Sequence, residues 1–79
     1  MTLDISTRHA STQQIYRYFA WSHLPGHIQP VSKLCGELAT QMILSLPDGP
    51  ELTTGLRKLL EAKDCFVRTA LYEVPMRKP

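Results

Sequence analysis

Apolar residues step along the middle of the chain at intervals of three and four: Val31, Leu34, Cys35, Leu38, Ala39, Met42, Ile43 and Leu46. That helical period predicts an amphipathic helix over about residues 30–46, with Lys33, Glu37, Thr40, Gln41 and Ser45 on its polar side. Pro47 ends it, because proline lacks an amide donor and disfavours helical geometry in the residue before it. A second run, Leu56, Leu59, Leu60, Phe66 or Val67, Ala70 and Leu71, predicts a helix over about 49–72. Asp48 reads as its N-cap, Pro50 suits its first turn and Glu51 stands where a capping-box acid would. Arg57 with Glu61 and Asp64 with Arg68 are spaced for i,i+4 pairs on its outer face. So short a connection between two long helices predicts an antiparallel hairpin.

The N-terminal part is less regular. Residues 1–11 are polar and aperiodic and read as a flexible arm. Ser11 and Thr12 then offer N-caps, and Ile15, Tyr18 and Phe19 fall at helical spacing, which favours a short helix over about 12–20. An extended reading competes, because Ile15, Arg17, Phe19 and Trp21 alternate with Tyr16 and Tyr18 and these residues have high β-propensity. Pro25, Gly26 and Pro30 mark an irregular connection, and 75–79 read as a tail after Pro75. The fold class expected is all-α: one domain with a short N-terminal helical segment followed by a two-helix hairpin.

Length changes that picture. A chain of 79 residues has too little core for a lone hairpin, so hairpins are expected to pack on one another in a symmetric homo-oligomer. A net charge of +2 with thinly spread basic residues argues against avid binding to duplex nucleic acid. No apolar run is long enough for a membrane span or a signal peptide, which points to the cytosol. Cys35 and Cys65 lack CxxC spacing. In the hairpin, Cys65 sits nearly a helical turn from the residue level with Cys35, so two buried free thiols are expected. Pro25 and Gly26 break the helical pairing of His23 with His27, so neither a metal nor a cofactor is expected. No catalytic constellation is present. Lys63 interrupts the second apolar stripe, where an ammonium must snorkel outward or meet an anion.

Candidate chemistry concentrates at Tyr16, Tyr18, Phe19 and Trp21, with Arg17 among them. Flat rings beside cations suit a flat anionic ligand such as a nucleotide, and the same rings also suit a core. By helical phase, Ile15, Tyr18 and Phe19 anchor this segment to the hairpin, whereas Trp21, at the start of the proline-rich turn, is placed to lie against a base. The order of features is then informative. Phe19-Ala20-Trp21 precedes His23-Leu24-Pro25; Glu37-Leu38-Ala39 follows, then Pro47-Asp48 with Glu51 and Thr53, and then Leu56-Arg57-Lys58-Leu59-Leu60-Glu61-Ala62. Over Phe19 to Ala70 this resembles the small helical-hairpin domain of phage sponges that sequester bacterial immune signals, the anti-CBASS and anti-Thoeris proteins.

The resemblance implies a non-enzymatic homo-oligomer, often a hexamer, in the cytoplasm of the infected host. Such a protein binds cyclic dinucleotides, cyclic trinucleotides or cyclic ADP-ribose variants in pockets between protomers. It places Trp21 where the family has a base-stacking tyrosine, with Phe19 as the first ring of the pair and His23 just beyond. Lys33 maps to a phosphate-contacting cation, and Thr53 and Lys58 to the hydroxyl and lysine of the second helix. The tryptophan and a loop shorter than usual leave the identity of the bases open. Two alternatives are a small helical DNA-binding or regulatory protein, with Arg57, Lys58 and Arg68 on phosphates, and a protein-interaction module. Glu61 and Asp64 on that same helix oppose the DNA reading.

Overall fold

A computed structural model describes residues 4–73 and contains no strand among them. The elements are α1 (Ala10–Tyr16), a 3-10 turn (Arg17–Phe19), α2 (Gln29–Ser45) and α3 (Pro50–Glu73). The tail expected over 75–79 and the first three residues of the expected arm lie outside the described residues. Among the described residues no helix is long and apolar enough to cross a membrane.

His9, rather than Ser11 or Thr12, caps α1: its Nδ1 accepts the Ser11 amide at 3.0 Å. The helix then tightens into the 3-10 turn, which stops at Ala20 where the backbone turns extended. Side chains three apart eclipse in a 3-10 turn, so the inward pair is Tyr16 with Phe19. Phe19 is 2% exposed, whereas Tyr18, expected inward by α-helical phase, is 60% exposed. The tightened turn is the reason for that correction.

The segment before α1 is fastened, where the sequence led us to expect a free arm. Ile5 packs on the core. The Arg8 guanidinium donates to the carbonyls of Ile43 at 2.6 Å and Leu46 at 2.8 Å, and to Asp48 Oδ1 at 3.0 Å. Carbonyls at a helix C-terminus lack intrahelical partners and carry partial negative charge, so a guanidinium is well matched to the end of α2. Asp48 also accepts from the His9 amide at 3.0 Å and the Thr12 hydroxyl at 2.8 Å. These bonds, the His9 amide foremost, hold its carboxyl below the ordinary carboxylate range. Asp48 thus serves α1 and Arg8 rather than capping α3, whose first turn closes on the Gly49 carbonyl through the Thr53 amide at 3.1 Å.

The core is thin. Ile15 and Phe19 from the N-terminal segment, Cys35, Ala39 and Ile43 from α2, and Leu52 and Leu56 from α3 form its buried cluster. The apolar stripe of α2 is wider than the surface that covers it: Leu34 is 69% exposed, Leu38 47%, Met42 37% and Leu46 44%. Lys63 and Ala70 mark the buried face of the second half of α3, and Cys65 and Phe66 lie off it and are exposed, so only Cys35 is a buried thiol. Burial pushes the Cys35 thiol above its ordinary range, against the opposing pull of the Lys63 charge. Neither Arg57–Glu61 nor Asp64–Arg68 closes into a salt bridge, and Arg68 points instead to Cys65 Sγ at 3.4 Å.

Lys63 neither snorkels nor meets an anion. It is buried, and its Nζ donates to the Tyr18 carbonyl at 2.6 Å while lying 5.9 Å from the centre of the Phe19 ring. The unpaired carbonyl end of the 3-10 turn is what receives the ammonium. Lys63 therefore ties the aromatic segment to α3.

Candidate functional site

The polypeptide between the 3-10 turn and α2 is shaped by local bonds. The Leu24 amide donates to the Trp21 carbonyl at 3.0 Å, and the Gln29 side-chain amide reaches back to the carbonyls of Leu24 at 2.7 Å and Ser22 at 3.2 Å. Pro30 in the first turn of α2 costs that helix no hydrogen bond, since the amides there have no intrahelical acceptor. This folded connection brings Trp21 back across α2.

Gly36 allows the approach. A Cβ there would lie 3.0 Å from the Phe19 carbonyl oxygen and 3.3 Å from Trp21 Cδ1. With only hydrogen at that position, the indole lies half-buried against the α2 backbone. Lys33, one turn earlier on α2, holds its Nζ 5.3 Å from the centre of the indole ring, within cation–π range. Its only other partner among the described residues is Glu37 at 4.0 Å, on an exposed helix face where such a pair contributes little. The ammonium is therefore free to move to a stronger anion.

Trp21 and Lys33 border a cleft of about 600 Å³ shared with Tyr16, Arg17, Thr40 and Gln41. That volume falls within the range of small-molecule sites. At one side the Thr40 hydroxyl donates to the Gly36 carbonyl at 2.9 Å, so it accepts from the Tyr16 hydroxyl, 2.9 Å away. The Tyr16 proton is thereby committed and its oxygen remains an acceptor. Arg17 makes no side-chain hydrogen bond or ion pair among the described residues. The cleft thus offers the indole face, two cations, one carboxylate and the polar side chains of Tyr16, Ser22, Thr40 and Gln41.

Of the residues expected at the ligand, the structure brings Trp21, Lys33 and Phe19 to one cleft and leaves His23, Thr53 and Lys58 away from it. Phe19 borders that cleft but is 2% exposed, because the 3-10 turn directs its ring into the core, so it offers a ligand almost no surface. His23 is exposed on the connection and does not border this cleft. Thr53 faces α1, with its hydroxyl 3.3 Å from Ser11 Oγ, and Lys58 is exposed on α3; neither borders the Trp21 cleft. Sequence reasoning named Tyr16 and Arg17 in the aromatic cluster without assigning either to the ligand, and it passed over Gln41 and the pairing of Tyr16 with Thr40. The available signal was Gly36, a glycine inside a helix, which marks a close approach by another part of the chain. Among the described residues no group of three or more His, Cys, Asp or Glu side chains is gathered for a metal ion.

No protein-family model, curated protein or solved structure matches the chain.

Proposed function

We propose that this chain is a phage-encoded, non-enzymatic sponge that binds a cyclic oligonucleotide or cyclic ADP-ribose-type immune signal in the host cytoplasm and so keeps it from its effector. The reading rests on one observation above the rest: a half-buried indole with a weakly held ammonium 5.3 Å from its ring centre, at the edge of a cleft of about 600 Å³. A base stacked on Trp21 contributes about 1–3 kcal/mol. Lys33 leaves its exposed pair with Glu37 for a phosphate oxygen, and Arg17 supplies a second charge-assisted bond. In this reading α2 and α3 form an antiparallel hairpin whose uncovered stripe, Leu34 to Leu46, is buried in a homo-oligomer, a hexamer by resemblance. Assembly is also what would bring Thr53 and Lys58 of one protomer near the indole of another. Sequestration requires affinity rather than turnover, which suits a cleft without a nucleophile paired to a base.

Trp21 is the single tryptophan of the chain, so its fluorescence reports the site directly. Calorimetry and fluorescence with cyclic di- and trinucleotides and cyclic ADP-ribose isomers should give saturable quenching below micromolar for at least one ligand. Trp21→Ala should abolish calorimetric binding while light scattering shows the same assembly. Lys33→Ala should weaken binding without lowering the melting temperature. If no ligand of the panel binds below micromolar, and duplex DNA instead binds with a steep salt dependence, the DNA-binding reading replaces this one.

A further inference from the structure

Arg17 borders a second cleft. This one, of about 390 Å³, lies between α1 and the first turns of α3, and its other polar residues are Ser11, Gln14, Tyr18, Thr53 and Arg57. Two guanidinium groups face it and no carboxylate lines it. Neither guanidinium has a hydrogen-bond or ion-pair partner among the described residues, and Glu61, one turn beyond Arg57, does not close on it. The Tyr18 ring is 60% exposed beside them. The backbone of Tyr18 is nonetheless held, because Lys63 donates to its carbonyl at 2.6 Å, which leaves the ring outside. Unshared like charges facing one cleft repel each other until an anion enters.

We propose that this second cleft binds a nucleoside phosphate, its phosphate held by Arg17 and Arg57 and its base lying against Tyr18. Guanidinium groups match phosphate oxygens in a planar, bidentate fork. An exposed tyrosine accepts any base, since every base has a π-face. The volume stands at the small end of ligand sites, so it suits one nucleotide rather than a cyclic oligomer. The hydroxyls of Ser11 and Thr53 and the Gln14 amide give polar contacts for the sugar. The site shares Arg17 with the Trp21 cleft and Thr53 with the assembled sponge site, whereas Arg57 and Tyr18 belong to it alone, so either proposal can fail alone.

The test uses the full chain and NMR titrations that follow the backbone amides, the arginine Nε–Hε signals and the Tyr18 ring, with AMP, inorganic phosphate and adenosine as probes. AMP should give saturable shifts at Arg17, Arg57 and Tyr18, phosphate should shift the arginine signals alone, and adenosine should shift neither. Arg57→Ala should weaken AMP binding about tenfold, the effect of losing one charge-assisted bond. Tyr18→Ala should weaken AMP binding and leave phosphate binding as it was; both side chains are exposed and the Tyr18 carbonyl survives the substitution. Trp21→Ala should change none of these shifts. The proposal is overturned if Arg57 shows no saturable shift, if both variants bind AMP like the parent, or if Trp21→Ala removes the AMP shifts. It is also overturned if a short DNA duplex displaces AMP from Arg57 with a steep salt slope, because the occupant is then a nucleic-acid backbone.

Discussion

Lys63→Met isolates what a buried ammonium contributes here. Methionine keeps the length and packing of the stem and removes the charge. The lost bond, Nζ to the Tyr18 carbonyl at 2.6 Å, is charge-assisted and worth about 1.5–3 kcal/mol. The Phe19 ring centre, at 5.9 Å, is at the outer limit for a cation–π contact and adds roughly 0.5 kcal/mol. Opposing both is the relief of no longer burying a charge. The bond to the Tyr18 carbonyl is only partly buried, so water can reach the freed carbonyl and the further penalty is small. The expected net loss is about 2 kcal/mol, which for a domain of this size lowers Tm by roughly 8–16 °C. Urea unfolding followed by Trp21 fluorescence measures it, and high salt should change the difference little because the group is buried. A Lys63→Met protein with an unchanged or higher urea midpoint would refute the reasoning, since desolvation would then outweigh the hydrogen bond.

Gly36→Ala gains up to about 1 kcal/mol of helix propensity, yet its methyl meets the Phe19 carbonyl at 3.0 Å and Trp21 at 3.3 Å. Overpacking of this kind costs about 1–3 kcal/mol, so the variant should melt lower with red-shifted tryptophan emission; a higher Tm with unchanged emission would mean that the close approach is absent. Asp48 is held below the ordinary carboxylate range by the His9 amide, then by Thr12 and Arg8. A depressed folded value contributes stability that is complete above the unfolded value and is lost as pH falls through the folded one. Asp48→Asn should therefore lower the urea midpoint at neutral pH and flatten its decline in acid, whereas curves parallel to the parent would remove Asp48 from the linkage.

The two long helices were legible because a three-and-four spacing sustained over four or more turns matches the period of a helix and not that of a strand. What the period did not reveal is how much of each stripe is covered. Leu34, Leu38, Met42 and Leu46 fit the pattern as well as Cys35, Ala39 and Ile43, but only the second group is buried. Local rules also misplaced Asp48, since the capping pattern was present and a guanidinium 40 positions earlier in the chain was not visible to it. Tyr18 went astray for a subtler reason: one tightened turn rotates each following side chain by about 20° relative to an α-helix. The pairing of Trp21 with Lys33 depends on a folded connection and on the missing Cβ of Gly36. Thr53 and Lys58 share a helix, which says nothing about the part of the chain each one faces.

Both clefts are built on the aromatic segment, and two cations hold that segment at its ends. Arg8 fastens the approach to α1 by binding the carbonyl end of α2, and Lys63 fastens the far end by binding the Tyr18 carbonyl. Each contact pairs a charged donor with a backbone acceptor that would otherwise lack a partner at a helix end. The segment buries Ile15 and Phe19 in the apolar cluster beneath and packs Tyr16 against it, a narrow contact to fix its orientation by packing alone. Directional bonds at two separated points do fix it, because rotation about the segment's axis would break one or the other. Trp21, Arg17 and Tyr18 therefore owe their placement to Arg8 and Lys63 more than to the core. Loss of either anchor should then disturb both clefts, whereas a change at the exposed Leu34 of α2 should disturb neither.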